Sequence, residues 1–235
     1  MSKRIVLALA SLMLALGVAD VASASQSAPL PIGPAMQAQA AAEDEVVVLP
    51  SRVAAAIRRT QNSLAKAEEH IDEAEYAKAI ISLRGVRNNL VRADKAARRQ
   101  MDAVPTDPEA EVTSGPDSVI AVLTLDQEVV VRLAGLLNGQ SGTVVGAMGT
   151  TLTVAQTTRD KLLDAVLALD PEGAGVGYAD GMADTLDGYA DEVANLAEAL
   201  ADDKLSAGGK TILTTSLARS KATAAKMDAA FGGGE

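Results

Sequence analysis

Residues 116–138 read PDSVIAVLTLDQEVVVRLAGLLN, and the fold follows from this stretch. Val119, Ile120, Val122, Leu123, Leu125, Val129, Val130, Val131, Leu133, Leu136 and Leu137 wrap most of a helical circumference. Pro116 suits a first helical turn. Asn138-Gly139-Gln140-Ser141-Gly142 ends the run with turn chemistry. A helix that is apolar on most sides belongs at the centre of a bundle.

The neighbouring segments supply the other rods. Downstream, the seam Val145, Met148, Leu152, Ala155, Arg159, Leu162, Val166, Leu169 predicts a helix over 143–169. After the breaker stretch 171–177, Ala179, Met182, Leu186, Tyr189, Val193, Leu196 and Leu200 predict one helix over 178–203. A last helix opens near Ser206 and carries Leu213, Leu217, Ala224, Met227 and Phe231. Upstream, Val53, Ile57, Thr60, Leu64, Ala67 and Ile71 predict a helix over 51–72 with Ser51 as its N-cap. Tyr76, Ala79, Leu83, Val86, Leu90, Ala93 and Ala97 predict another over 76–101. The two upstream seams are out of phase, which predicts an antiparallel hairpin, with one long kinked helix as the alternative. The expected class is all-α: an antiparallel bundle of about six long helices. A helical hairpin (51–102) and a linker (103–117) precede a four-helix bundle (118–231), with a tail at 232–235.

The beginning of the chain reads differently. Lys3 and Arg4 precede an apolar run from Ile5 to Ala19, and Ala22-Ser23-Ala24 is an A-x-A cleavage signature. Residues 1–24 are therefore expected to be a secretory signal peptide, and 25–50 a disordered tether. The expected location is secreted: extracellular, or periplasmic where an outer membrane exists. No later run is apolar enough to span a membrane.

Composition narrows the function classes. The chain has 235 residues, no Cys, no Trp, three Tyr and one Phe. Disulfides and thiolate metal sites are excluded, and stacking surfaces for sugars or bases are disfavoured. The net charge of −10 argues against nucleic acid as a partner. That charge is uneven. Residues 51–102 hold 11 basic and 7 acidic groups, whereas 103–235 hold 8 basic and 20 acidic ones.

Ala121-Val122-Leu123-Thr124-Leu125, the stretch Tyr178 to Leu186 (YADGMADTL) and the Asp228-Ala229-Ala230-Phe231 end carry a resemblance. The chain resembles uncharacterised, secreted, all-helical proteins of high-GC actinobacteria. The resemblance implies export and helical structure, and no site residues.

Several constellations are candidates for function. Asp126 lies in the apolar face of its helix, and Arg159 in the seam of the next. An antiparallel turn centred near 140 brings them level, so they are expected to meet as a buried ion pair. The structural reading is fixed register; the functional one is a polar site for a small ligand or cation. Asp180, Asp184, Asp187, Asp191, Glu198 and Asp202 form an acidic stripe opposite the seam of their helix. Arg84, Arg92, Lys95, Arg98 and Arg99 crowd one flank of the 76–101 helix. His70, the only histidine, is expected at the surface, and no metal or cofactor set is found. Gly209-Lys210-Thr211 lacks the earlier glycine of a phosphate-binding loop. No nucleophile–base set appears. The expected function is non-catalytic action through the surface, by self-association or by contact with an unknown protein or envelope polymer.

Overall fold

The computed structural model describes residues 49–102, 114–169, 176–183 and 185–232. The expected signal peptide, nearly all of the tether, the linker through residue 113 and the last three residues lie outside them. The described residues form seven α-helices and no strand: α1 Ser51–Asp72, α2 Tyr76–Met101, α3 Ser114–Leu136, α4 Thr143–Leu167, α5 Val176–Ala183, α6 Leu186–Ala201 and α7 Ala207–Phe231. None of them is long and apolar enough to cross a membrane.

The all-α bundle expected from the seams is what forms. Every residue of the α1 seam is buried, and Leu83, Val86 and Leu90 of α2 are fully so. The exception in α2 is Tyr76, which is exposed. α3 is central: it packs on α1, α2, α4, α5 and α6. Its Val119, Val122, Leu123, Val129, Val130 and Leu133 have no accessible surface. The hairpin is part of the same core, because α2 lies against both α3 and α4. Arg132 on α3 ties α1 in as well, donating from Nε to Glu68 at 2.7 Å and from Nη1 to Glu128 at 2.7 Å.

The hairpin is a true turn rather than a kink. Ala74 takes φ +57°, the Glu75 N–H donates to the His70 carbonyl at 2.7 Å, and the Ala74 N–H donates to Ile71 at 3.0 Å. These two bonds make the Schellman stop that usually employs glycine. An alanine there explains why no Gly or Pro marks the turn.

Three boundaries differ from expectation. Pro50, not Ser51, occupies the cap of α1, and no side chain among the described residues caps that end. α3 begins earlier, at Ser114. The single helix expected over 178–203 is two helices. The Thr185 hydroxyl donates to the Met182 carbonyl at 2.8 Å and the Thr185 N–H reaches the same oxygen at 3.1 Å, closing a tight turn between α5 and α6. Tyr178 is buried where Ala179 was expected.

The order of helices around the bundle is not their order in the chain. α3 packs on α4 and α6, and α7 packs on α4 and α6, so α4 and α6 stand on a diagonal. α4 and α7 run parallel: Gln156 meets Ser216 and Ser220, Asp160 meets Arg219 and Thr223, and Asp164 meets Lys226. Short loops predict adjacent antiparallel partners. Here α3, apolar nearly all round, offers one face to α4 and another to α6. Gly181 on α5 lies against Ile120 and Gly188 on α6 against Gln127, close enough that neither site has room for a side chain without movement.

A left-handed backbone costs a non-glycine residue about 1–2 kcal/mol. Ala74→Gly is therefore expected to stabilise the protein by about 1 kcal/mol, less glycine's added freedom in the unfolded chain. Urea denaturation followed by circular dichroism at the helical band measures it.

Candidate functional site

The centre of the bundle is polar. Arg159 on α4 and Glu192 on α6 are both fully buried across the diagonal. Arg159 Nη1 donates to the two Glu192 oxygens at 2.5 and 2.7 Å, and Nη2 donates to the Thr223 hydroxyl of α7 at 3.1 Å. The guanidinium carbon lies 5.4 Å from the centre of the Tyr189 ring, a cation–π distance. The Ser220 hydroxyl donates to Glu192, and Gln156 Nε2 donates to Ser220 Oγ and the Ser216 carbonyl, each at 2.9 Å. Burial opposes the charge on Arg159, but Glu192, Tyr189 and Asp160 outweigh it and the pKa moves up. Burial pushes the Tyr189 hydroxyl up as well, and that hydroxyl has no hydrogen-bond partner among the described residues.

Asp126 is fully buried but is not the ion-pair partner of Arg159. The expected register sets Asp126 and Arg159 level along the bundle axis, but the direction in which Arg159 leaves α4 decides its partner. Successive helical residues point about 100° apart, so Thr158 faces α3 while Arg159 faces α6 and α7. The Thr158 hydroxyl lies 3.3 Å from both Asp126 oxygens. The same hydroxyl is 2.9 Å from the Ala155 carbonyl and has only one proton. Burial pushes the Asp126 carboxyl well up, against the weaker pull of Arg159 and Thr158. The Thr158 hydroxyl thus divides one proton between the carboxyl and the backbone, and offsets little of the burial.

Glu192 escaped the sequence reading because Val193 fits the same seam between Tyr189 and Leu196. Likewise Ser216, Ser220 and Thr223 follow three-and-four spacing on α7, but hydroxyls do not register as an apolar stripe.

The expected surface sets divide. Arg92, Lys95 and Arg99 line a groove of about 370 Å³ together with Ser51, Arg52, Ala55, Ala56, Arg59 and Ala96. Arg98 donates to Asp94 at 2.9 Å, and Arg84 is exposed outside the groove. The α1 arginines were missed because the flank was read on one helix alone. On α6, Asp187, Asp191 and Glu198 are exposed, while Asp202 accepts from Asn138 and from the Lys204 N–H. Asp184 and the Asp180 side chain lie outside the description. A second cleft, of about 240 Å³, runs between α4 and α7 and includes Asp160, Arg219 and Thr223. Neither cleft reaches Asp126 or Arg159.

His70 sits half-buried at the hairpin turn, with Nδ1 3.1 Å from Glu75. Its ligand atom and those of Glu73 and Glu75 lie within 4.8 Å of one another. Lys78 holds Glu75 at 2.6 Å and keeps its carboxyl pKa low, so a cation there would compete with an ammonium already in place.

Comparison with protein-family models, curated proteins and solved structures finds no match to this chain.

Glu192→Ala strands the buried Arg159 charge and is expected to cost about 3–5 kcal/mol. Arg159→Met with Glu192→Leu is expected to recover most of that loss in urea denaturation. Asp126 gives a pH signature. An acid whose folded pKa lies above its unfolded value, about 3.9, supports folding fully only below that pH, and the support fades as pH rises toward the folded pKa. Asp126→Asn is thus expected to raise Tm at pH ~7 by a few degrees, about 2–4 °C per kcal/mol. The gain should vanish near pH ~3.

Proposed function

We propose that this chain is a non-catalytic, exported helical protein that acts through its surface, by electrostatic contact of its α1–α2 hairpin with an anionic component of the cell envelope. The observation that carries this reading is the groove at the open end of the hairpin. Arg52, Arg59, Arg92, Lys95 and Arg99 line it, no carboxylate does, and none of the five is in an ion pair among the described residues. Three arginines at helix contacts, by contrast, meet acids of the same chain: Arg132 meets Glu68 and Glu128, Arg219 meets Asp160, and Arg159 meets Glu192. Glu192 and Thr223 occupy the two terminal nitrogens of Arg159, and neither cleft reaches Asp126 or Arg159, which favours surface action over a small ligand held between those two residues. Export rests on the signal-like residues 1–24.

Self-association is a second reading, because α6 exposes Asp187, Asp191 and Glu198 as a complementary acidic face. Such a contact joins two different patches and propagates head to tail.

Co-sedimentation with isolated envelope fragments tests the proposal. Binding is expected at about 0.02 M salt and release at about 0.5 M, where the screening length has shrunk several-fold. Arg92→Glu with Arg99→Glu should abolish it. Sedimentation velocity of the protein alone separates the second reading, which requires a mass that grows with concentration and falls with salt. Lack of both behaviours overturns surface action by this hairpin.

A further inference from the structure

We propose that the hairpin groove is a binding site for an oligoanion of contiguous phosphoryl groups. The inference rests on the surface-acting reading above and names the chemistry that its groove selects.

The groove has a defined charge array. Ser63 of α1 meets Gly85 and Asn89 of α2. Carrying that antiparallel register to the open end sets Arg59 level with Arg92, and Arg52 level with Arg99. Seven residues separate the two levels on each helix, about 10 Å at 1.5 Å per residue. Lys95 falls between them. The array is two pairs of guanidinium forks bracketing an ammonium.

The floor is Ala55, Ala56 and Ala96. These small side chains leave the anion free to approach and offer no apolar pocket for an acyl chain. The lining contains no aromatic ring, so neither a nucleobase nor a sugar gains stacking there.

The end of α1 adds a second, independent feature. Pro50 occupies the cap, and no side chain among the described residues accepts from the first-turn N–H groups. Ser51 and Arg52 of that first turn line the groove. An uncapped helix N-terminus attracts negative charge. Arg52 opposes the dipole of its own helix, a placement that an anion between them reverses. Arg98 and Arg99 are explained without a ligand, since cations favour the C-terminus of α2. Arg92 donates from Nη1 to Asn89 Oδ1 at 3.2 Å but meets no acid, and Arg52, Arg59 and Lys95 are in no ion pair among the described residues.

Charge density selects among anions. Filling two levels about 10 Å apart takes several negative charges in one short chain. Linked phosphoryl groups supply that, with oxygens matched to arginine forks. A single orthophosphate reaches one level only. The acidic total of the chain does not prevent binding. Its exposed α6 acids belong to a helix that packs on α3 and α7, and at physiological salt charges beyond about 8 Å are largely screened.

Isothermal titration of the protein with sodium tripolyphosphate tests this. The expected result is binding at least tenfold tighter than orthophosphate, weakened tenfold or more by Arg59→Gln with Arg92→Gln and unchanged by Arg84→Gln. ATP should bind no tighter than tripolyphosphate. Vesicles bearing phosphatidic acid identify the source: capture with the same mutational sensitivity means that the phosphoryl groups can be presented on a lipid headgroup. Capture only of the free anion assigns the site to soluble chains. Should poly-L-glutamate bind and tripolyphosphate not, the phosphoryl assignment falls while surface action by the hairpin stands. Should neither bind, or should the Gln variants bind as wild type does, the groove is not a site. Unchanged helical circular dichroism of the variants shows that any loss is of binding and not of folding.

Discussion

A buried guanidinium facing a buried carboxylate across a diagonal is the constraint on which this bundle depends. Arg159 and Glu192 are in register only when α4 and α6 oppose each other with α3 on one side and α7 on the other. A neighbouring placement of α4 and α6 would leave the hydroxyl face of α7 without its partners. Buried pairs add little net stability, but breaking one is costly, so they penalise wrong arrangements more than they reward the right one. Ser220 and Thr223 supply further hydrogen bonds to the pair and Gln156 donates to Ser220, while Arg159 Nε is left without one among the described residues.

Charge is distributed unevenly over the fold. At several helix contacts arginines meet acids of the same molecule, Arg159 with Glu192, Arg132 with Glu68 and Glu128, Arg219 with Asp160, whereas Arg87 between α2 and α4 donates to the Ala147 carbonyl and the Thr151 hydroxyl. At the open end of the hairpin, five cations are gathered with no acid among the described residues that line the groove. The helix dipole of α1, with no side-chain cap among the described residues, adds to the same field.

The seam residues of α1, α2 and α4 were legible because burial of apolar side chains every three or four positions is a local property of a helix. The centrality of α3 was legible for the same reason: an apolar circumference has only one place to go. The burial of Asp126 and Arg159 was legible from their seam positions. Their failure to pair was not, because it turns on which way adjacent residues of α4 face in a bundle whose helix order is unknown in advance. The α5–α6 break escaped because Thr185 closes it with its own hydroxyl, chemistry that a threonine shows only in context. The hairpin turn lacked its usual signal because alanine stands in the left-handed position.

By itself the sequence determined the helical class, the seams, the hairpin phase and the uneven distribution of charge, all of which follow from residue type and spacing along one chain. Tertiary structure alone decided that α4 and α6 stand on a diagonal, that Arg159 takes Glu192, and that cations from α1 and α2 share one groove. The reason is physical: periodicity specifies which side of each helix is buried, whereas the identity of the group across the gap depends on the relative rotation and order of helices far apart in the chain.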